Sequence, residues 1–206
     1  MKLIATAAAA MLATAVSANA ATLDFVAEAD GNERGVEDGT TINFDGLDVT
    51  FSADGDFAYF DDLSGGKPGG LGVCGTLTAS DQCNPPSDDN ITEGEAVTLT
   101  FGTEVLELSG LSFNDADHNS LDTDFTQTLL IALNGGSATQ YTFDDAAGAV
   151  FTSLTSITFQ FDDQGRYASE FYVSGAEAVV PLPAAGWLLL GGLGGLAAMK
   201  RRKKAA

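Results

Sequence analysis

Residue types on which many catalytic sites depend are scarce in this 206-residue chain. It contains one histidine, His118, one tryptophan, Trp187, and two cysteines. A Ser-His-Asp triad would have to use His118, yet the sequence has no G-x-S-x-G segment. Phosphate-binding loops and dinucleotide fingerprints are also missing. These absences favour a protein that is not an enzyme.

Basic residues are scarce too, and most of them lie near the ends of the chain. Of nine lysines and arginines, Lys2 is near the N-terminus and five form the run Lys200–Lys204. The other three share residues 21–180 with all 29 acidic residues, which gives this segment a net charge of −26. A surface so poor in lysine and arginine excludes nucleic acid as a partner. The charge favours attraction of divalent cations, while adaptation to a salty habitat is the alternative explanation.

Residues 1–20 have the three parts of a secretory signal peptide. Lys2 gives a short positive region, and Leu3–Val16 is apolar and rich in alanine. Ala18-Asn19-Ala20 has the small-x-small pattern that a signal peptidase accepts, with cleavage before Ala21. Residues 21–179 are therefore expected to form an exported ectodomain.

The other end of the chain predicts a membrane anchor. Val180-Pro181-Leu182-Pro183-Ala184 is a proline-stiffened segment, and residues 184–199 follow it without a charge. A helix over these sixteen residues would span about 24 Å, and snorkelling of the basic residues 200–204 would extend its reach. The positive-inside rule keeps this basic tail in the cytoplasm and leaves the ectodomain outside, in agreement with the signal peptide.

These C-terminal parts also resemble a known sorting signal. The segment Val180, Pro181, Leu182, Pro183 and Ala184, a glycine-rich apolar helix containing Trp187, and a terminal Lys/Arg cluster look like the VPLPA-CTERM variant of the PEP-CTERM family. The resemblance, which covers residues 180–204, implies recognition by an exosortase-type transpeptidase in a Gram-negative bacterium. It further implies anchoring in the inner membrane, cleavage near the Pro-Leu-Pro segment and transfer to the cell surface or an exopolysaccharide matrix.

Alternation of apolar and polar residues predicts an all-β ectodomain. Val97, Leu99 and Phe101 alternate with threonines, and Asp45-Gly46 separates two alternating runs as a hairpin turn does. Nine or ten such strands with one apolar face suit an antiparallel, jelly-roll-like β-sandwich. Residues 61–89 are rich in Gly, Pro and Asp and predict a long loop.

A second resemblance concerns part of this ectodomain. The segment Gly69-Gly70-Leu71-Gly72-Val73 precedes the acidic turn Asp88-Asp89-Asn90-Ile91, a strand ending in Phe101, and Phe113-Asn114-Asp115. This order is similar to a β-rich ectodomain common among PEP-CTERM proteins. The resemblance supports the fold class and implies no particular activity.

Cys74 and Cys83 are expected to form a disulfide. They lie nine residues apart around turn-forming sequence, and an exported protein meets an oxidising environment. A redox site would usually have the C-x-x-C spacing, which the chain lacks.

The best cluster of ligand-type side chains lies between residues 114 and 124. Asp115, Asp117, Asn119 and Asp122 offer oxygen ligands at alternate positions, a pattern that suits Ca²⁺. The spacing departs from an EF-hand, since the sixth position is not glycine and the twelfth is not glutamate. The alternative is that these residues form turns by bonding to their own backbone.

Three functions follow from these observations. The first is a non-enzymatic structural or adhesive protein, sorted to the cell surface or its exopolysaccharide matrix. The second is a Ca²⁺-dependent carbohydrate-binding module. The third is a glycan hydrolase that uses a pair of carboxylates, since acidic residues are abundant.

Overall fold

The structure, a computed structural model, describes residues 18–64 and 67–181. Strands predominate in these residues, and the two helices are short. The strands are β1 (Ala18–Asp24), β2 (Arg34–Val36), β3 (Thr41–Phe44), β4 (Leu47–Ser52), β5 (Phe57–Ser64), β6 (Lys67–Cys74), β7 (Ala96–Asp115), β8 (Thr128–Leu133), β9 (Thr139–Thr142), β10 (Phe151–Phe161) and β11 (Phe171–Pro181). The helices are α1 (Phe25–Ala29) and α2 (Phe143–Gly148). The prediction of an all-β domain is confirmed.

The eleven strands form one open sheet. Its main path runs β2-β5-β6-β11-β7-β10-β8-β9, with β1 beside β11 and the β3–β4 hairpin beside β7. The strand pairs whose registers are described are antiparallel. The 20-residue strand β7 organises the sheet, because β10 follows one of its edges while β4 and then β11 pair along the other.

Phenylalanine rings show that the sheet curls around its core. Phe51 of β4 packs edge-on against Phe60 of β5 with ring centroids 5.3 Å apart, although these two strands are not hydrogen-bonded neighbours. Phe25, the first residue of α1, contacts both rings. Strands from distant parts of the sheet therefore face each other, and the buried side chains fill the space between them.

The predicted hairpin at Asp45-Gly46 is confirmed. Strands β3 and β4 pair from Thr41 opposite Thr50 to Phe44 opposite Leu47. Asp45 and Gly46 both have positive φ, at 50° and 92°, as a type I′ turn requires.

The prediction that residues 61–89 form one long loop was wrong. Strand β5 continues to Ser64, and Lys67–Cys74 forms β6 between β5 and β11. Glycines weaken the local preference for a strand, but here pairing on both sides compensates for it. Strand β1 ends at Asp24, whose side chain caps α1 by accepting a hydrogen bond from the Ala27 N–H at 2.8 Å.

The folded unit extends beyond both predicted boundaries of the ectodomain. Residues Asn19–Pro181 form one compact unit, so Val180 and Pro181 of the expected sorting segment belong to β11. Ala21 is fully buried, whereas Ala18–Ala20 are exposed, and cleavage before Ala21 would leave the core intact. No helix in the described ranges is long and apolar enough to cross a membrane. The apolar part of the signal peptide, Leu182, Pro183, Ala184, the helix at 184–199 and the basic tail lie outside the described residues.

The predicted disulfide is confirmed. Cys74 at the end of β6 bonds to Cys83, with 5.8 Å between the two Cα atoms. Both cysteines are buried and pack with Tyr59 and Leu77 in a small cluster separate from the main core. The disulfide thus fixes the segment after β6 beside the Tyr59 ring.

Replacing both cysteines by serine is expected to lower the free energy of unfolding by about 2–3 kcal/mol, because a closed loop of roughly ten residues restricts the unfolded chain. Urea denaturation of the oxidised protein and of the double variant measures the difference. Adding a reductant should destabilise the wild type alone. Equal stability of the two proteins would contradict the prediction.

Candidate functional site

The predicted Ca²⁺ ligands Asp115, Asp117, Asn119 and Asp122 lie in the turn that follows β7, where the oxygens of Asp115 and Asp122 bind backbone groups. Asp115 Oδ1 accepts hydrogen bonds from the N–H groups of Asp117 at 2.9 Å and Asn119 at 2.7 Å. Asp122 Oδ1 accepts one from the Phe113 N–H at 2.6 Å. The Asn119 amide oxygen accepts from the Lys67 ammonium at 2.6 Å. The side chains of Asp115 and Asp122 therefore stabilise the turn.

A preformed cage for a cation is not built from these side chains. Within the described ranges, one group of three His, Cys, Asp or Glu residues has its ligand atoms within 4.8 Å of one another, namely Cys74, Cys83 and Asp88. Its two sulfurs are joined in the disulfide. The geometry of the 115–122 turn agrees with the turn-forming alternative, and Ca²⁺ binding there stays a prediction.

Substitutions at Asp115 separate the two explanations. Asp115→Ala is expected to cost about 1–2 kcal/mol of stability with or without Ca²⁺, because two backbone N–H groups lose their acceptor. Asp115→Asn keeps an acceptor oxygen and should cost less. Melting temperatures in EDTA and in Ca²⁺ at fixed high ionic strength measure both effects. A Ca²⁺-specific stabilisation that Asp115→Asn abolishes would support the cation site instead.

The same turn directs His118 into a pocket of about 460 Å³. His118 has a positive φ of 59°, and its side chain is 6% exposed. The ionisable residues around the pocket come from five segments of the chain: Glu33, Asp61, Asp89, His118, and Glu170 with Tyr172. We call this site the carboxylate pocket.

His118 and Asp61 form a hydrogen-bonded pair at the bottom of the carboxylate pocket. The His118 Nδ1 atom lies 3.1 Å from the backbone oxygen of Lys67, which accepts only, so Nδ1 carries a proton. His118 Nε2 lies 3.0 Å from Asp61 Oδ2. This second contact requires a proton either on Nε2 or on the carboxyl group, so the two residues share one proton.

The surroundings of Asp61 favour the neutral carboxylic acid. Burial raises the pKa of Asp61 to about 8, and the negative charges of Asp89 and Glu33 act in the same direction. At neutral pH the acid therefore keeps its proton and donates it to His118 Nε2. Such a pair can release or take up a proton near physiological pH.

Two buried tyrosines hold carboxylates of the pocket in place. The Tyr172 hydroxyl donates to Asp89 Oδ1 at 2.6 Å, and the Tyr59 hydroxyl donates to Glu33 Oε1 at 2.5 Å. Burial raises the pKa of Asp89, and the bond from Tyr172 opposes this effect. Burial and the acceptor carboxylate raise the pKa of each tyrosine, which keeps both hydroxyls as donors.

Glycines of β6 allow the segments of the pocket to approach each other. A Cβ on Gly69 would lie 2.0 Å from Asp61 Oδ2, and one on Gly72 would lie 1.9 Å from the backbone oxygen of Asp89. The buried Asn114 side chain donates to the backbone oxygens of Pro68 and Gly69 at 2.8 and 2.9 Å. The glycine-rich sequence thus has a structural role at this site.

The carboxylate pocket has no basic partner among the residues that the structure describes. Arg34 pairs with Glu28, the Lys67 ammonium donates to Asn119, and Arg166 lies over the Tyr167 ring. Four carboxyl groups, those of Glu33, Asp61, Asp89 and Glu170, line the pocket. Among the described lining residues, His118 is the one that can carry a positive charge.

The sequence pointed to His118 as the one histidine available to a catalytic triad, and no sequence pattern distinguished Asp61 from the other acidic residues. The signal that pointed nearest to the pocket was the second resemblance, since its glycine-rich, acidic-turn and Phe-x-Asp segments surround the site. Protein-family models, curated proteins and solved structures were compared with the chain, and none matches it.

Proposed function

We propose that this chain is an exported, non-enzymatic structural or adhesive protein, which an exosortase-type enzyme sorts to the cell surface or exopolysaccharide matrix of a Gram-negative bacterium. The proposal rests on the order of three C-terminal parts: the VPLPA segment, the apolar stretch and the basic tail. The position of Pro181 supports it, because the folded unit ends at the residue where the sorting segment continues.

We also propose that the curled sheet is a jelly-roll-like sandwich. The contact between Phe51 and Phe60, on strands that are not paired, supports two layers around one core. A rigid layered domain with a highly charged surface suits a structural role outside the cell.

Localisation of the full chain in a bacterium that has an exosortase tests the sorting proposal. An epitope inserted at the exposed Asn134–Gly136 turn would report surface exposure on intact cells. The wild type should reach the surface, whereas a variant with residues 200–204 replaced by serines should not be sorted. Deleting the exosortase should leave the wild type in the inner membrane. Surface display that needs neither the basic tail nor the exosortase would contradict the proposal.

Saccharide binding is a second candidate function, and the carboxylate pocket favours it. Its volume of about 460 Å³ lies within the usual range for small-molecule sites, and carboxylates can accept bonds from sugar hydroxyls. The Tyr172 ring is buried against His118, so recognition would use polar groups rather than stacking. Saccharide binding is tested by measuring how the wild-type full chain and its Asp89→Asn variant bind to a glycan array. Binding that Asp89→Asn leaves unchanged would place the site elsewhere.

A further inference from the structure

We propose that the carboxylate pocket binds a protonated primary amine carried on a small polar molecule. The inference rests on the pocket being a ligand site and does not depend on sorting. It refines the second candidate function, saccharide binding, by specifying that the ligand is positively charged. A neutral saccharide would need no cation-binding site.

The first argument is the unbalanced charge of the pocket. Glu33, Asp61, Asp89 and Glu170 come from separate segments, and none of the described lysines and arginines pairs with them. Holding the carboxylates of Asp61 and Asp89 together away from water is costly unless they are protonated or neutralised. A cation that enters the pocket relieves this repulsion.

The second argument is a buried oxygen that is not fully bonded. The Asp61 side chain is 9% exposed, and its Oδ2 atom accepts no hydrogen bond from an N–H or O–H group of the described residues. Its polar neighbour is His118 Nε2 at 3.0 Å, and this contact is bonded only while one of the two groups holds their shared proton. An ammonium group that donates to Asp61 Oδ2 takes the place of this shared proton.

The size of the site argues for an organic cation rather than a bare metal ion. The carboxylate oxygens of the pocket are not among the described groups of three that lie within 4.8 Å of one another. A dehydrated Ca²⁺ ion needs six to eight oxygens at about 2.3–2.6 Å. An ammonium group donates at most three hydrogen bonds and so needs fewer oxygens than Ca²⁺, and its carbon skeleton can fill the remaining volume.

Amine binding is coupled to a proton. The ligand favours ionised Asp61, so the proton shared with His118 leaves to solvent when the ligand binds at neutral pH. The groups that face this pair and influence its proton are Glu33, Asp62, Asp89, Tyr172 and the backbone oxygen of Lys67. Affinity for the amine should therefore rise with pH until the ligand itself loses its charge.

Calorimetric titration of the full chain in neutral detergent tests the proposal. The probes are glucosamine, its neutral counterpart N-acetylglucosamine, the diamine putrescine and Ca²⁺, each at fixed high ionic strength. Glucosamine or putrescine should bind at least tenfold more tightly than N-acetylglucosamine, and the pH of a weakly buffered sample should fall on binding. Asp61→Asn and Asp89→Asn should each weaken amine binding at least tenfold.

Glu104→Gln is the matched control, because it removes one negative charge from an exposed position outside the pocket. It should leave amine affinity within twofold of the wild type, and melting temperatures identify any variant that has lost its fold. Equal binding of both sugars would overturn the amine proposal and leave saccharide binding standing. Absence of binding by both amines, or binding by Ca²⁺ alone, would overturn it as well.

Discussion

Gly72→Ala is expected to lower the free energy of unfolding by about 3 kcal/mol and to disrupt the carboxylate pocket. The new Cβ would lie 1.9 Å from the backbone oxygen of Asp89 and 2.8 Å from the Cα of Asn90. Neither is a flexible side-chain end, so either β6 or the 88–91 segment must move. Tyr172 would then lose its acceptor, because Asp89 belongs to the displaced segment.

Urea denaturation at constant pH measures the loss of stability. The NMR signals of His118, the single histidine, report whether the structure of the carboxylate pocket has changed. Gly148→Ala is the control, since its Cβ would meet no atom within 4 Å. Gly148 ends α2, where alanine is expected to be neutral or to stabilise the protein by up to about 1 kcal/mol. A Gly72→Ala protein as stable as Gly148→Ala, with an unchanged His118 spectrum, would contradict the close approach.

Features determined by local sequence were predictable. The Asp45-Gly46 turn depends on two adjacent residues that tolerate positive φ, and the disulfide joins cysteines nine residues apart in an exported chain. The alternation at Val97, Leu99 and Phe101 also gave the correct buried face. Each of these signals lies within a short segment, so tertiary contacts are not needed to interpret it.

Local sequence failed where pairing decided the outcome. Residues 67–74 have the composition of a loop and become a strand because β5 and β11 lie on either side. In β7, regular alternation with the buried Leu108 would place Leu106 inward, whereas Val105 is fully buried and Leu106 is only half-buried. The β7–β10 register shifts between Leu154 and Ser156, and such an irregularity leaves no periodic signal.

The carboxylate pocket was unpredictable for the same reason. Asp61 and His118 are 57 positions apart, and each stands among other acidic or polar residues that are ordinary turn formers. Burial and the direction of the side chain distinguish them, and both depend on the packing of β5, β6 and the 115–119 turn. Composition shows that acidic residues are numerous. It does not show which of them lie together in a buried site.

Asp61→Asn is expected to make the protein more stable at pH 8 than the wild type, by on the order of a few kcal/mol. The pKa of Asp61 is raised from 3.8 to about 8 in the folded state. Between these values the unfolded chain loses the proton and the folded chain retains it, so the wild type loses up to about 1.4 kcal/mol per pH unit. Below pH 4 both states are protonated, and the penalty disappears. Asparagine does not titrate and can donate its amide N–H to His118 Nε2.

The difference in unfolding free energy between variant and wild type, measured by urea denaturation from pH 4 to 9, isolates this residue. Burial also raises the pKa of Glu95 to about 7. This residue is present in both the variant and the wild type, so its contribution cancels in the difference between their unfolding free energies. Asp124→Asn should lower the stability relative to the wild type near neutral pH, opposite to the effect of Asp61→Asn. The reason is that N–H groups of Gln127 and Thr126 lower the pKa of Asp124. Its carboxylate stabilises the fold above the ordinary pKa, and this contribution is lost as the pH falls. A difference for Asp61→Asn that stays constant from pH 4 to 9 would mean that the carboxyl group is ionised throughout, so that His118 carries the shared proton.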